Sequence, residues 1–158
     1  MILNITQYKL YEKILDNQNI FNAIFCMESY IFDKGLLNTD DPINFFDKSG
    51  EVSDVIAKND LELYYALADK HNVELIEKVI IVCKQKLQWI FSSEENLFEA
   101  KVYFKLKNYD DEVLKFRPLH IARLIDLICM VSILNSLMYE DNYKEGKRNL
   151  SDLSKLVP

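Results

Sequence analysis

The sequence predicts a mainly α fold carrying one β-hairpin, an α+β chain made of a helical N-terminal bundle followed by a hairpin and a buried helix. Three observations predict it. Gly and Pro occur only three times each in 158 residues, which favours long helices over the many tight turns of an all-β fold. Apolar residues recur at helical spacing through most of the first hundred positions. After Lys101 the period changes to two, the mark of half-buried strands.

Taken in order, the pattern begins with a helix over about residues 4–17, with Ile5, Tyr8, Tyr11, Ile14 and Leu15 on one face. Asn17-Gln18-Asn19 interrupts it. A second helix aligns Ile20, Ile24, Met27 and Ile31, with Phe21, Phe25 and Phe32 beside that stripe, and Gly35 is placed to cap its C-terminus. From Leu36 to Ser53 the periodicity breaks at turn signals such as Asp40-Asp41-Pro42 and Ser49-Gly50, which reads as loop. A third helix, capped by Ser53 or Asn59, reaches about Lys70. His71-Asn72 marks a turn. A fourth runs from about Val73 to Phe91, with Ile76, Val79, Ile80, Cys83 and Leu87 inward and Lys84 and Lys86 outward. Ser92-Ser93-Glu94-Glu95 ends it and is suited to capping a short helical turn.

The last third differs. Val102, Phe104 and Leu106 alternate with Tyr103, Lys105 and Lys107; Asn108 to Glu112 is a polar turn; Val113 to Leu119 alternates again. The pair reads as a β-hairpin with a five-residue loop. One face collects Val102, Phe104, Leu106, Leu114 and Phe116 for burial. The other collects Lys105, Lys107, Lys115 and Arg117, four cations that repel one another unless an anion sits nearby. Phosphate is the expected anion, and a lysine-rich edge kept soluble by charge is the competing explanation. Pro118 is expected to close the second strand. A helix from about Ile121 to Tyr139 is apolar almost all round and should be buried. Its Arg123 and Asp126 stand three residues apart, close enough to pair.

Charge follows the same division. Residues 1–100 hold 9 lysines and 17 acids, a net −8; residues 101–158 hold 7 lysines, 3 arginines and 8 acids, a net +2. A phosphate-binding surface is therefore expected in the last third. No apolar run approaches the length of a membrane span, and the N-terminus has no signal-peptide pattern. Cys26, Cys83 and Cys129 are odd in number and sit in apolar helical patterns, pointing to reduced thiols and a cytoplasmic protein. Two histidines, His71 and His120, are too few for a zinc site. No Ser or Cys stands in a nucleophile motif, and no Arg precedes a His by four to six residues as some helical nucleases require, which argues against a self-contained hydrolase.

The run Val102-Tyr103-Phe104-Lys105-Leu106-Lys107, a polar turn, Lys115-Phe116-Arg117-Pro118-Leu119-His120, then Arg123 and Asp126 opening a buried helix resembles the fingers region of reverse transcriptases. The likeness is nearest to the unknown-group and abortive-infection reverse transcriptases of bacterial antiviral defence, which place a helical region before the fingers. It covers about residues 100–158, and His120 stands where group II intron enzymes carry Gly. The resemblance implies a helical domain over 1–98 and a fingers-like unit over 99–158, truncated before the palm. It implies an RNA-directed DNA polymerase, a nucleotidyltransferase, whose fingers clamp template backbone and incoming triphosphate through Lys105, Lys107, Lys115 and Arg117, with Arg123 and Asp126 structural. RNA (a template or a non-coding RNA), the remainder of the polymerase and a second copy of the chain are the implied partners. Such enzymes hold two divalent ions, Mg2+, on palm carboxylates of a Tyr-x-Asp-Asp type. That motif does not occur here, so no catalytic residue, metal ligand or cofactor is expected in this stretch. The alternative expectation is a non-enzymatic helical interaction protein that binds a partner protein or RNA through the hairpin.

Overall fold

The structure, a computed structural model, describes residues 5–47, 49–93, 98–108 and 115–145, the side chains of residues 5, 6, 107, 108 and 139–145 excepted. The fold is α+β and mostly helical, as the periodicity predicts. Helices α1 (Ile5–Ile14) and α2 (Asn17–Cys26) are separated by Asp16, whose carboxylate caps α2 by accepting from the N–H groups of Gln18 and Asn19. Two short 3₁₀ turns follow, Met27–Tyr30 and Lys34–Leu36. Gly35 lies inside the second of these rather than capping α2, since the helix already tightens at Met27.

The segment expected to be loop contains a small antiparallel hairpin, β1 (Ile43–Phe46) on β2 (Val52–Ala57). Its two register irregularities explain why period-two alternation did not reveal it. Asp47 closes its turn, accepting from the N–H groups of Ser49 and Glu51, and Gly50 supplies the left-handed φ of +85° that the turn requires. Helix α3 (Asp60–Leu67) starts at Asn59, whose side chain accepts from the Glu62 N–H; the Glu62 carboxylate in turn accepts from the Lys58 N–H. Helix α4 (Val73–Ser92) is capped by Asn72. The Glu94-Glu95 turn expected after it lies outside the described residues.

Strands β3 (Ala100–Asn108) and β4 (Lys115–Ala122) form the second antiparallel pair, with Phe104 opposite Pro118, Lys105 opposite Arg117 and Leu106 opposite Phe116. The loop joining them, Leu114 included, lies outside the described residues. Pro118 does not end β4, which runs four residues further. In a two-stranded ribbon each strand has an open edge, and a proline nitrogen turned to that edge removes no ladder bond.

Helix α5 (Leu124–Glu145) is the axis of the molecule, packing against α1, α2 and α4. Leu124, Ile128, Cys129 and Ser132 are fully buried on it, as expected from its nearly continuous apolar surface, and they join Ile20, Leu63, Val79, Cys83 and Leu87 in a single core. The expected division at residue 98 therefore runs through a shared core. Asn19 stitches α2 to this axis, its amide donating to the Ser132 carbonyl and the Ser136 hydroxyl at 3.0 Å each. Burial pushes the Cys83 thiol well above its ordinary value, and Cys129 donates to the Cys83 carbonyl at 3.6 Å, so these thiols behave as core atoms. Among the described residues no helix is long and apolar enough to cross a membrane.

Candidate nucleic-acid interface and its anchor

The cations expected to share one face do so where their side chains are described. Lys105 and Arg117 are directly opposed across β3 and β4, and Lys115 falls on the Arg117 side of β4 by strand alternation. All three are exposed. Lys107 belongs to β3, but its side chain lies outside the described residues, beside a register irregularity between Leu106 and Asn108.

The orientation of the hairpin differs from expectation. Val102, Phe104 and Phe116, expected to be buried, are 48%, 70% and 56% exposed. Leu106 on that face is half-buried, as are Tyr103, Leu119 and Ile121 on the opposite face, and the Lys105 ammonium sits 4.8 Å above the ring of Phe32 in the body. The cationic face therefore leans on the body near its base, while the aromatic face looks outward. Alternation fixes which residues share a face; it does not say which face finds a partner, and here the body offers an aromatic ring and a half-buried seat to the lysine side.

The base of the hairpin is bolted to the helices by two buried carboxylates. Asp60, fully buried at the start of α3, accepts from Arg123 Nε at 3.1 and 3.2 Å, from Arg123 Nη2 at 2.9 Å and from the Leu124 N–H at 2.9 Å. It thus neutralises a guanidinium and satisfies one of the open donors at the start of α5. Arg123 Nη2 also donates to the Asp41 carbonyl at 3.1 Å. Asp126 accepts from the Glu99 N–H at 2.8 Å and lies 3.4 Å from the Lys86 ammonium. Burial holds its carboxyl above the ordinary carboxylate value, opposed by the Glu99 N–H and Lys86. The Arg123 N–H closes the ribbon by donating to the Glu99 carbonyl at 3.2 Å.

Arg123 and Asp126 thus pair with Asp60 and Lys86, not with each other. Each meets a partner on another element, and these contacts fix the point where the ribbon leaves the body. Sequence spacing had no means of finding Asp60, 63 residues from Arg123, and Lys86, read as an outward lysine, turns to Asp126 instead. Asp40 and Asp41 remain loop residues: the Asn38 side chain accepts from both their N–H groups and donates to the Asp41 carboxylate.

The polymerase expectation implies Mg2+, which needs oxygen ligands gathered at one point. Among the described residues no group of three or more His, Cys, Asp or Glu side chains is arranged to hold a metal ion. The buried carboxylates Asp60 and Asp126 are each committed to a cation and a backbone N–H. The described residues therefore do not fit the ion, and no metal-dependent step follows from them. Comparison with protein-family models, with curated proteins and with solved structures finds no match for this chain.

Proposed function

We propose that this chain is the helical N-terminal and fingers portion of an RNA-directed DNA polymerase of the antiviral-defence type, acting in the cytoplasm. Its hairpin clamps the backbone of an RNA template and the phosphates of the incoming nucleotide. The observation that carries the proposal is the facing pair Lys105 and Arg117 on a ribbon whose base is held rigidly by Asp60–Arg123 and Asp126–Lys86. Two cations fixed side by side at strand spacing suit phosphate oxygens, because the ordering cost is met by the fold before the ligand arrives. The remainder of the polymerase would supply the metal-holding carboxylates.

The test is enzymatic. The protein bearing this stretch, given primed RNA and deoxynucleotides, extends the primer, and the double substitution Lys105→Glu with Arg117→Glu raises the KM for primed template by at least about tenfold, as expected for charge-assisted contacts worth about 1.5–3 kcal/mol each. Absence of RNA-templated extension, or unchanged kinetics in the double variant, contradicts the proposal.

A second reading has one observation in its favour. The outward strip of Val102, Phe104 and Phe116 suits a partner protein, and a non-enzymatic helical interaction protein would use it for docking. In that case Phe104→Ser abolishes partner capture while the charge reversals leave it intact.

A further inference from the structure

Among the described residues β4 is the only strand paired with β3, so each strand of the ribbon has an open outer edge. The register fixes which backbone groups those edges present. The Arg123 N–H donates to the Glu99 carbonyl, and the pairs run without a break from Ala100 opposite Ala122 to Leu106 opposite Phe116. Bonded and non-bonded pairs alternate along an antiparallel ladder. Counting in twos from Glu99, Lys101, Tyr103 and Lys105 bond to β4, while Ala100, Val102, Phe104 and Leu106 turn their N–H and C=O groups outward. On β4 the outward positions are Phe116, Pro118, His120 and Ala122.

The two edges are not equivalent. Pro118 has no N–H, so the β4 edge lacks a central donor. The β3 edge keeps a donor and an acceptor at every outward position, and no backbone group among the described residues meets them. Its two flanks also differ. On one face Val102 and Phe104 are exposed; on the other Lys101 and Lys105 are exposed. An added strand extends both faces and sets alternate side chains beside each. The lysines select among strands. Pairing β3 antiparallel with its own copy about Tyr103 would set Lys101 against Lys105 at both ends, which like charge opposes. A strand carrying acids at those alternate positions turns the same lysines to attraction.

We infer that the β3 edge takes, as a third strand, an extended segment of a partner protein in which apolar and acidic residues alternate. The apolar residues lie beside Val102 and Phe104, and the acids beside Lys101 and Lys105. The inference rests on the reading of the outward strip as a partner-docking surface, and adds a backbone pairing that docking alone does not require.

The probe is a blocked peptide alternating Val and Glu over about nine residues, matching the length of β3, added to the full chain. Fluorescence anisotropy of the labelled peptide reads affinity, and amide hydrogen exchange reads the edge. Bound peptide slows exchange at the Val102, Phe104 and Leu106 amides and changes little at Tyr103 and Lys105, which already bond to β4. A copy N-methylated at every residue keeps the side chains, loses the donors and binds at least about tenfold more weakly. A Val–Lys peptide is weakened at least about tenfold by its charge. Val102→Pro removes an outward donor but no bond to β4, and lowers affinity at least about tenfold; Val102→Ala keeps the donor and most of the affinity. Binding that leaves the three edge amides unprotected, or that survives full N-methylation, overturns the added strand while the strip stands as a docking surface. Failure of the Val–Glu peptide to bind also overturns the inference, and partner capture abolished by Phe104→Ser would then still uphold the docking reading. Protection of these amides by single-stranded RNA, and not by the peptide, assigns the edge to nucleic acid and overturns the inference as well.

Discussion

The floor beneath α5 and the hairpin that rises from it share residues but obey opposite rules. In the floor, buried charge is matched: Asp60 holds Arg123, Asp126 holds Lys86, and both carboxylates also satisfy a backbone N–H. On the ribbon, Phe104 is 70% exposed and Lys105 and Arg117 face one another, like charge against like. The contrast separates two uses of the same side-chain chemistry. Paired and buried charge holds the fold together; like charge and aromatic surface on the exposed ribbon are what the proposed recognition of a ligand or partner would use.

The contrast is broken most severely at Asp60. Asp60→Ala leaves a partly buried guanidinium and the Leu124 N–H without their carboxylate, and is expected to cost about 3–5 kcal/mol by chemical denaturation. A loss below about 1 kcal/mol, the scale of an exposed pair, would show that the floor does not organise α5. Next in size is Ile128→Ala. Deleting a fully buried side chain from the central helix is expected to cost about 2–5 kcal/mol, with the higher end marking a core that fails to collapse around the cavity.

A smaller effect sharpens the floor by its sign. Burial raises the Asp126 carboxyl, so between its ordinary and raised values the folded chain binds more protons than the unfolded one. The Asp126 contribution is therefore fully present below the ordinary carboxylate value and falls as pH rises through that window. Asp126→Asn removes this titration while keeping an acceptor for the Glu99 N–H. Denaturation midpoints of the two proteins across the acid range should show native stability, relative to the variant, declining with rising pH; the opposite slope would mean that Lys86 outweighs burial. The smallest effect belongs to the ribbon: Phe104→Ser should shift stability by no more than about 0.5 kcal/mol, because the exposed ring covers little of the body.

How far the sequence discloses this arrangement depends on the distance over which each feature is decided. Helices α2, α4 and α5, the β3–β4 ribbon and its like-charged face follow from neighbours two to four residues apart, and these are legible. Asn59, one of the two caps the sequence offers for α3, announces a helix start by side-chain chemistry, while Asn72 reads as part of a turn and proves to cap α4. What stays hidden depends on partners far along the chain. The Asp60–Arg123 bond spans 63 residues, and the β1–β2 pairing is short and irregular. The hairpin lies between these cases. Its two faces are legible, while the choice of which one the body seats is decided by Phe32 and the half-buried positions around Tyr103.

The measurement that tests the division most directly is made on one variant, Lys115→Glu with Arg117→Glu, two exposed cations on one side of β4, by following both its melting and its affinity for RNA against salt. The account predicts an unchanged melt, a much reduced affinity, and a slope of log affinity against log salt shallower by about 0.7 to 0.9 for each phosphate no longer neutralised. A lowered melting temperature with unchanged affinity and slope would contradict it, because the ribbon's cations would then belong to the fold and not to recognition.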